Sequence, residues 1–411
     1  MTNTVLHVLS QRPLLTGSGI TLDAFVRRAR QNGWEQHVVV GVPSDERNPV
    51  VGGLDAERIH PLFFGIGNLD YPVPGMSDVM PYPSTRFSSM TRDQVAAYEN
   101  AWRDHLDKVI AEVKPDIIHS HHIWLASSLI KEIASDTPIV TQCHATGLRQ
   151  MALCPHLTDR VVTRCRRNDR FFVLHAGHAD QLSETLTVGP ERIHVIGAGY
   201  NEVLFHARGR EVPKGGMLLY VGKLSAAKGL PWLLDAVERL FSKGIEIELH
   251  VAGSGVGSEA ESIEKRLANM ASCVTYHGQV GQAALADLMR RCSVCVLPSF
   301  YEGVPLVLVE ALACGCRLVS TNLPGVMSQL APYLGSTLDL IPLPRLIGPD
   351  VPDPLDLPAF VDDIASVLER AAKKDPLDFE GDSFLSRLKP FGWNEVFDRV
   401  EAVWNKVKKS E

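Results

Sequence analysis

The stretch Val294-Cys-Val-Leu-Pro-Ser-Phe-Tyr-Glu-Gly-Val-Pro-Leu-Val-Leu-Val-Glu-Ala-Leu-Ala-Cys-Gly-Cys-Arg-Leu-Val-Ser-Thr321 decides the fold. The apolar run from Val294 to Leu297 is typical of a buried parallel strand. Pro305 fits the start of a helix, where a missing backbone N–H costs nothing. Gly315 is a typical residue just past a helix end. The stretch therefore predicts a strand, a tight loop, a helix and a second strand.

Two carboxylates stand out in this stretch. Glu302 lies in the loop, and Glu310 is the only charged residue of an otherwise apolar helix, where a carboxylate is costly unless donors reach it. Free N–H groups at the helix start, around Val304, Leu306 and Val307, favour an anion such as phosphate. The pattern suits a nucleotide-sugar, with phosphates at the helix start, Glu302 on sugar hydroxyls and Glu310 on ribose hydroxyls. The expected donor-binding residues of this turn are Gly303, Val304, Pro305 and Leu306. The alternative is a surface loop acid at Glu302 and a solvent-facing Glu310.

The run Glu-Gly-x-Pro-Leu-x-x-x-Glu-Ala-x-Ala-x-Gly, from Glu302 to Gly315, resembles the signature of retaining glycosyltransferases of family 4. The resemblance implies an α/β fold of two doubly wound, Rossmann-like domains facing a central cleft, the GT-B arrangement. We expect an N-terminal acceptor-side domain over residues 1–207 and a nucleotide-sugar domain over 208–385. A helix within 386–411 is expected to return to the N-terminal domain. The polar segment from Arg208 to Gly216 is the predicted linker.

Length and composition agree with such a protein. At 411 residues the chain is long for a single core, and its formal charge of −7 argues against a general nucleic-acid binder. No run reaches the roughly 18 apolar residues that a membrane span needs, and Met1 to Ser10 lacks the features of a signal peptide. The eight scattered cysteines suit reduced thiols in the cytoplasm. Cys292-x-x-Cys295 has no second pair, so no metal or redox role is expected there.

Strands alternate with helices in the first half of the chain, which is typical of a parallel, doubly wound sheet. Small residues, including Gly17 and Gly19, precede a helix predicted from Ile20 to Gln31. They suit either a plain helix cap or a loop close to a ligand, and the resemblance implies a glycine-rich loop facing the donor. The long irregular segment from Pro61 to Thr91 is interpreted as an insertion, acting as an acceptor lid.

Histidines follow two predicted strands. His121 and His122 end one strand and His144 ends the next, at the edge of a sheet where ligands gather. No carboxylate or cysteine accompanies them at ligand spacing, so no metal site is predicted. The resemblance implies that His144 contacts the donor sugar beside the reacting carbon and that His121 lies near the cleft. Arg149 follows, as either an acceptor-anion ligand or a surface arginine.

Lys223 and Lys228 lie in a loop between a predicted strand and helix, which suits a diphosphate, although surface lysines are the common alternative. The resembled family has arginine and then lysine here, so Lys223 keeps the charge but loses the bidentate fork. A strand is predicted from Val274 to Val280, and the resemblance places Val280 near the nucleotide base. The run from Gly253 to Gly257 resembles a dinucleotide fingerprint but lacks a dependable acid downstream.

The expected function is retaining transfer of a hexosyl group from a nucleotide-diphosphate sugar, with UDP expected first and GDP next. In the family's usual same-face substitution, the leaving diphosphate takes the acceptor proton. His144, Lys223, Lys228 and Glu302 are the expected catalytic residues, with neither a metal nor another cofactor. The acceptor is expected to be soluble, and the sequence does not identify it. The alternatives are a nucleotide-sugar epimerase, an NAD-dependent oxidoreductase and a non-catalytic sugar-binding relative.

Overall fold

A computed structural model describes residues 3–211, 216–374, 377 and 386–408. Its contacts divide the chain into two compact units, one of residues 1–198 and 393–411 and one of residues 199–392. The division falls after residue 198, whereas the sequence placed it after residue 207. Residues 212–215 of the predicted linker, and 375–376 and 378–385 of the predicted nucleotide-sugar domain, lie outside the described residues, as do 1–2 and 409–411.

The first unit is built on parallel strands separated by helices. Its strands are β1 (Thr4–Leu9), β2 (Glu35–Pro43), β3 (Ile59–Phe64), the two-residue β4 (Pro74–Gly75) and β5 (Thr85–Arg86), β6 (Ile117–His121), β7 (Ile139–Gln142), β8 (Arg170–Val173) and β9 (Ile193–Val195). Its helices are α1 (Gly17–Gln31), α2 (Arg92–Val113), α3 (Leu125–Ile133), α4 (Thr146–Leu153), α5 (Pro155–Cys165) and α6 (Ala176–Leu186). Seven strands form one parallel sheet in the order β3-β2-β1-β6-β7-β8-β9. β1 and β6 are therefore neighbours, although about a hundred residues separate them in the chain.

The core of the first unit covers both faces of this sheet. Strands buried on both faces are expected to be almost continuously apolar, as β1 is. The last described helix of the chain, Trp393–Val407, belongs to this unit. Its apolar stripe, which includes Phe397 and Trp404, packs in one cluster with Phe25 of α1 and Val5 of β1.

The second unit repeats the architecture with six parallel strands. The strands are β10 (Met217–Val221), β11 (Glu248–Ala252), β12 (Val274–Tyr276), β13 (Val294–Leu297), β14 (Arg317–Thr321) and β15 (Leu338–Ile341), in the order β12-β11-β10-β13-β14-β15. The helices are α7 (Leu230–Ser242), α8 (Ser258–Asn269), α9 (Gln282–Arg291), α10 (Leu306–Ala313), α11 (Ala331–Leu334) and α12 (Leu357–Ala372). We number Trp393–Val407 of the first unit α13. Because β10 and β13 are neighbours, the loops that follow them meet at one edge of the sheet.

Several predicted boundaries differ from the structure. Gly17 and Gly19 lie inside the first turn of α1, because Thr16 caps the helix and its Oγ1 accepts a bond from Gly19 N at 3.3 Å. Residues 61–64 belong to β3, an edge strand, where a proline is tolerated. The strand predicted to reach Val280 ends at Tyr276. Among the described residues, no helix combines the length and apolar character that crossing a membrane requires.

Candidate functional site

The loops after β10 and β13 are joined to each other. Phe300 N donates to Ala227 O at 3.1 Å. Gly229 has φ +71°, and a Cβ at this position would lie 2.0 Å from Pro298 O. Only glycine permits both this backbone conformation and this close approach. The two loops are therefore held together at the carboxyl edge of the second sheet.

This junction brings two of the predicted site residues into contact. Lys228 Nζ forms an ion pair with Glu302 Oε1. Ser299 Oγ donates to the same carboxylate oxygen at 3.0 Å. The side chains of Lys228 and Glu302 are 22% and 18% exposed, so a ligand at the edge could reach both. Lys228, which is predicted to bind phosphate, and Glu302, which is predicted to bind sugar hydroxyls, therefore lie at the same site.

Tyr220 supports the other predicted lysine. This tyrosine is fully buried on β10, and its hydroxyl donates to Lys223 O at 2.7 Å. Burial raises its pKa well above 10, and the charge of Glu302 adds to the effect, so the hydroxyl keeps its proton. The sequence reading missed Tyr220, although a buried tyrosine hydroxyl generally requires a partner. The lysine itself is half-buried in the same loop as Lys228.

The start of α10 provides backbone donors beside this site. Pro305 is the N-cap residue, and no side chain caps the helix there. Gly303 and Val304 form the turn that leads into it, and Leu306 is the first helical residue. The first N–H groups of a helix lack partners within the helix. An anion placed between this turn and Lys228 would meet both a positive charge and free N–H groups.

Glu310 is buried, so the alternative in which it points to solvent is wrong. Its residue is 8% exposed. Burial raises the pKa of its carboxyl from 4.5 to about 7. Among the described residues, the structure gives this carboxylate no hydrogen-bond or ion-pair partner. Val280, the residue expected near the base, is half-buried in the turn between β12 and α9.

The glycine run after β11 packs against neighbouring loops. Gly253 has φ +142°, and a Cβ there would lie 1.8 Å from Gly222 O. A Cβ at Gly255 would lie 2.8 Å from Ala260 Cβ. These close approaches give both glycines a packing role, so their presence does not by itself indicate a bound dinucleotide.

In the first unit, His121 and His144 are joined at the carboxyl edge of the sheet. His121 Nδ1 lies 3.2 Å from His144 Nε2, and the two rings stack with centroids 5.5 Å apart. Beside them, His122 Nδ1 lies 2.9 Å from Thr146 Oγ1. Burial, and then the neighbouring histidines, lowers the pKa of both His121 and His144 well below 6.5. These imidazoles are therefore neutral at physiological pH.

One histidine group could hold a metal ion, but it differs from the three histidines considered in the sequence. His7, His119 and His121 each offer a ring nitrogen, and these atoms lie within 4.8 Å of one another. All three residues are buried, and no carboxylate or thiolate belongs to the group. A divalent ion there would keep its charge in an apolar core, which is costly. The expectation that the protein needs no metal stays a prediction.

The other predicted residues of the first unit lie near the same edge. Gln11 Nε2 donates to Thr16 Oγ1 at 2.8 Å and to Ser18 Oγ at 2.6 Å, so the α1 start is well organised. A Cβ at Gly19 would lie 2.5 Å from Leu14 N, which gives this glycine a packing role, whereas Gly17 has open space. Arg149 Nη1 lies 3.4 Å from Ser77 Oγ, so the predicted lid segment contacts α4.

The CxxC pair is buried in the second unit. Cys292 and Cys295 are both free thiols. Burial raises the pKa of Cys292 to about 12 and that of Cys295 well above 9, so both stay protonated. A protonated, buried thiol is a poor nucleophile and a poor metal ligand.

Two protein-family models together match most of the chain. Residues 15–204 match the family model described as Glycosyltransferase Family 4, and residues 215–333 match that of Glycosyl transferases group 1. A glycogen synthase of Mycobacterium tuberculosis is 29% identical over 52% of this chain and 53% of its own length. The chain thus spans about half of that relative. A D-inositol 3-phosphate glycosyltransferase of Catenulispora acidiphila is 25% identical over 70% of this chain and 72% of its own length.

Solved structures show the same fold. Sucrose-phosphate synthase from Thermosynechococcus elongatus superposes with a TM-score of 0.72 at 16% identity, covering 98% of each chain. Anabaena HepE, solved in complex with UDP and glucose, gives a TM-score of 0.63 at 14% identity, over 97% of this chain and 99% of its own. At this identity the similarity shows the fold alone, and the fold is of the GT-B type.

Proposed function

Because the chain belongs to glycosyltransferase family 4, we propose that it moves a hexosyl group from a nucleotide-diphosphate sugar to an acceptor hydroxyl. The observation that carries this proposal is the contact of Lys228 with Glu302 beside the uncapped start of α10. A diphosphate needs a cation and free N–H donors, and a sugar needs a hydroxyl acceptor. All of these groups lie at one edge of the second sheet.

The diphosphate is proposed to lie between Lys228, Lys223 and the turn at Gly303 and Val304. Lys228 then exchanges its bond to Glu302 for a phosphate oxygen, and Glu302 becomes free to accept from a sugar hydroxyl. Glu310 accepts from the ribose, which supplies the donors that its buried carboxylate lacks. We propose a UDP-sugar as the donor, a choice supported by the UDP and glucose bound to the related fold of HepE.

The proposed chemistry retains the configuration of the transferred sugar. The bond from the sugar carbon to the diphosphate breaks while the acceptor oxygen bonds to the same face, and the diphosphate takes the acceptor proton. The protein's main task is to stabilise charge on the departing phosphate, which Lys223, Lys228 and the helix start can do without a metal. His144 is proposed to contact the sugar near its reacting carbon, and Val280 to lie near the base.

The acceptor is proposed to be a soluble molecule that meets the first unit near His121 and Arg149, beneath the segment that carries Ser77. Gly17 is proposed to let the donor approach α1, since space around it is open. We further propose that the enzyme works in the cytoplasm, where the eight free, buried cysteines would stay reduced.

The test is a thermal-shift screen of UDP, GDP and ADP, followed by release of UDP from UDP-hexoses with and without candidate acceptors. We expect UDP to raise the melting temperature most and the transferred sugar to keep its anomeric configuration by NMR. The Lys228→Ala variant should lose turnover, while the matched control Lys265→Ala, an exposed lysine of the same unit, should not. A wild-type protein that binds none of the three nucleotides would refute the proposal.

A further inference from the structure

The bond between His121 and His144 fixes which nitrogen of each ring carries a proton. A neutral imidazole has one N–H and one lone pair. Because His121 Nδ1 faces His144 Nε2 at 3.2 Å, one of these atoms donates and the other accepts. The tautomer of one ring therefore determines the tautomer of the other.

The surroundings of His121 select the donor. Its Nε2 is buried and has no hydrogen-bond partner. If the proton were on Nε2, a buried N–H would be left without an acceptor, and such orphaned donors are rarer in folded proteins than orphaned acceptors. The proton therefore belongs on Nδ1 of His121, which donates it to His144 Nε2.

The neighbouring histidines His7 and His119 do not add to this assignment. No ring nitrogen of either residue has a hydrogen-bond partner among the described residues, and the side-chain oxygens of Gln36 and Gln142 also lack one. The tautomer therefore follows from the bond between His121 and His144 and from the unpartnered Nε2 of His121 alone.

We propose that His121 is a positioning residue that holds His144 as its Nδ1–H tautomer, so that His144 meets the donor sugar as a neutral hydrogen-bond donor. This inference rests on the proposed function for the identity of the ligand, but not for the tautomer. His144 is half-buried, and its Nδ1 is not among the buried atoms that lack a partner, so this N–H can reach a ligand. The acceptor of the bond would be a sugar oxygen.

The tautomer can be measured directly in the unmodified protein. Selective ¹⁵N labelling of the 15 histidines and two-bond ¹⁵N–¹H correlation at neutral pH distinguish Nδ1–H from Nε2–H rings. The signals of His144 are those missing from the spectrum of His144→Gln. We expect His144 to be protonated at Nδ1 and bare at Nε2. A protonated Nε2 on His144 would overturn the inference, whatever the activity.

Two variants then test the consequence for catalysis. His121→Phe keeps a ring but removes the donor, whereas His121→Asn keeps an N–H close to the position of Nδ1. With a UDP-sugar, we expect His121→Phe to lower kcat about tenfold, roughly the effect of one hydrogen bond. His121→Asn should stay within about threefold of wild type by the same reasoning. The thermal shift with UDP alone should not change.

A loss in His121→Asn with none in His121→Phe would show that the ring matters only for packing. Equal losses would show that the retained N–H does not rescue transfer. Either result would overturn the positioning role proposed for His121. His156→Phe, at an exposed position of α5, is the matched control. If His121→Phe fails to fold, the spectrum of the wild-type protein still decides the tautomer. If the wild-type protein transfers no sugar, the proposed function fails while the tautomer assignment stands.

Discussion

The carboxyl edges of the two sheets differ sharply in charge. In the second unit, the edge carries Lys228 paired with Glu302, and α10 buries the acid Glu310. In the first unit, the corresponding edge carries histidines such as His122, whose pKa burial lowers to about 3. Both edges are built by parallel strands of the same doubly wound type. The fold therefore places ligands at this edge, but the side chains decide which chemistry each edge can perform.

The difference shows that charged side chains lie at the edge of the second unit and neutral histidines at the edge of the first. Full charges are kept where a diphosphate is proposed to bind and leave, because its charge grows as the bond breaks. Neutral imidazoles lie where hydroxyl groups of the sugar and the acceptor are proposed to bind. An imidazole can donate or accept a hydrogen bond there without attracting the phosphate. Four substitutions can break or sharpen this contrast.

The largest effect is expected from Lys228→Ala, which removes the cation from the charged edge. Turnover should fall about 100- to 1,000-fold, as for loss of one preorganised group that stabilises developing charge. The donor dissociation constant should change much less, because the helix start still binds phosphate. Steady-state kinetics and calorimetric titration with UDP separate the two. Unchanged turnover would contradict the proposed role of this lysine.

Glu310→Gln tests the buried acid. The carboxyl has a pKa of about 7 against 4.5 when unfolded. At about 1.4 kcal/mol per tenfold change in proton affinity, ionising Glu310 in the folded state costs about 3 kcal/mol. The folded form binds more protons between these two pKa values, so stability falls as pH rises from about 4.5 to about 7. Above that range the whole penalty is present.

Glu310→Gln should remove this pH dependence and stabilise the second unit at pH 8, while weakening UDP binding. Hydrogen exchange of peptides from β13 and β14 at pH 5 and pH 8 measures the stability of the unit itself. Glu261→Gln, at an exposed position of α8, is the control. Identical pH profiles of stability for Glu310→Gln and wild type would show that burial does not raise the pKa of Glu310.

Tyr220→Phe should have a moderate effect, because it removes the hydroxyl that holds Lys223 O but keeps the ring in the core. We expect UDP affinity to fall about fivefold and stability by about 1 kcal/mol, the usual net value of one hydrogen bond. Tyr333→Phe, at a position 44% exposed, is the matched control. A change in stability with no change in UDP affinity would limit Tyr220 to a packing role.

Lys223→Arg should have the smallest effect. An arginine restores the planar fork that binds two phosphate oxygens at once. We expect UDP to bind about two- to fivefold more tightly, with kcat almost unchanged, as measured by titration and initial rates. Weaker binding in this variant would indicate that the loop held by Tyr220 is shaped for lysine.

The residues at the carboxyl edge of the second unit's sheet were predictable because the sequence pattern that indicates them is local. The strand, the turn at Gly303 and the helix of the opening stretch are adjacent in sequence, and the structure has them as β13, the loop and α10. The pair of Lys228 and Glu302 follows from one further assumption, that the two strands before them are neighbours. Parallel sheets make that arrangement common.

The first edge was less predictable because its signals come from distant parts of the chain. His7 joins His119 and His121 only because β1 pairs with β6. Tyr220 was missed because nothing local marks which carbonyl its hydroxyl reaches. Gly17 and Gly19 were placed before α1 because small residues suit a loop as well as the first turn of a helix. The structure has Thr16 as the N-cap, so both glycines are helical.

The position of α13 has a consequence for how the protein is made. The strands of the first unit are synthesised long before Trp393 and Trp404. The apolar face of α1, which these two residues cover, can therefore be buried only at the end of translation. The second unit, by contrast, is one continuous stretch of the chain, residues 199–392. A premature stop codon that removes only α13 should thus unfold the first unit, which begins at the N-terminus. The second unit, with Lys228 and Glu302, should stay folded.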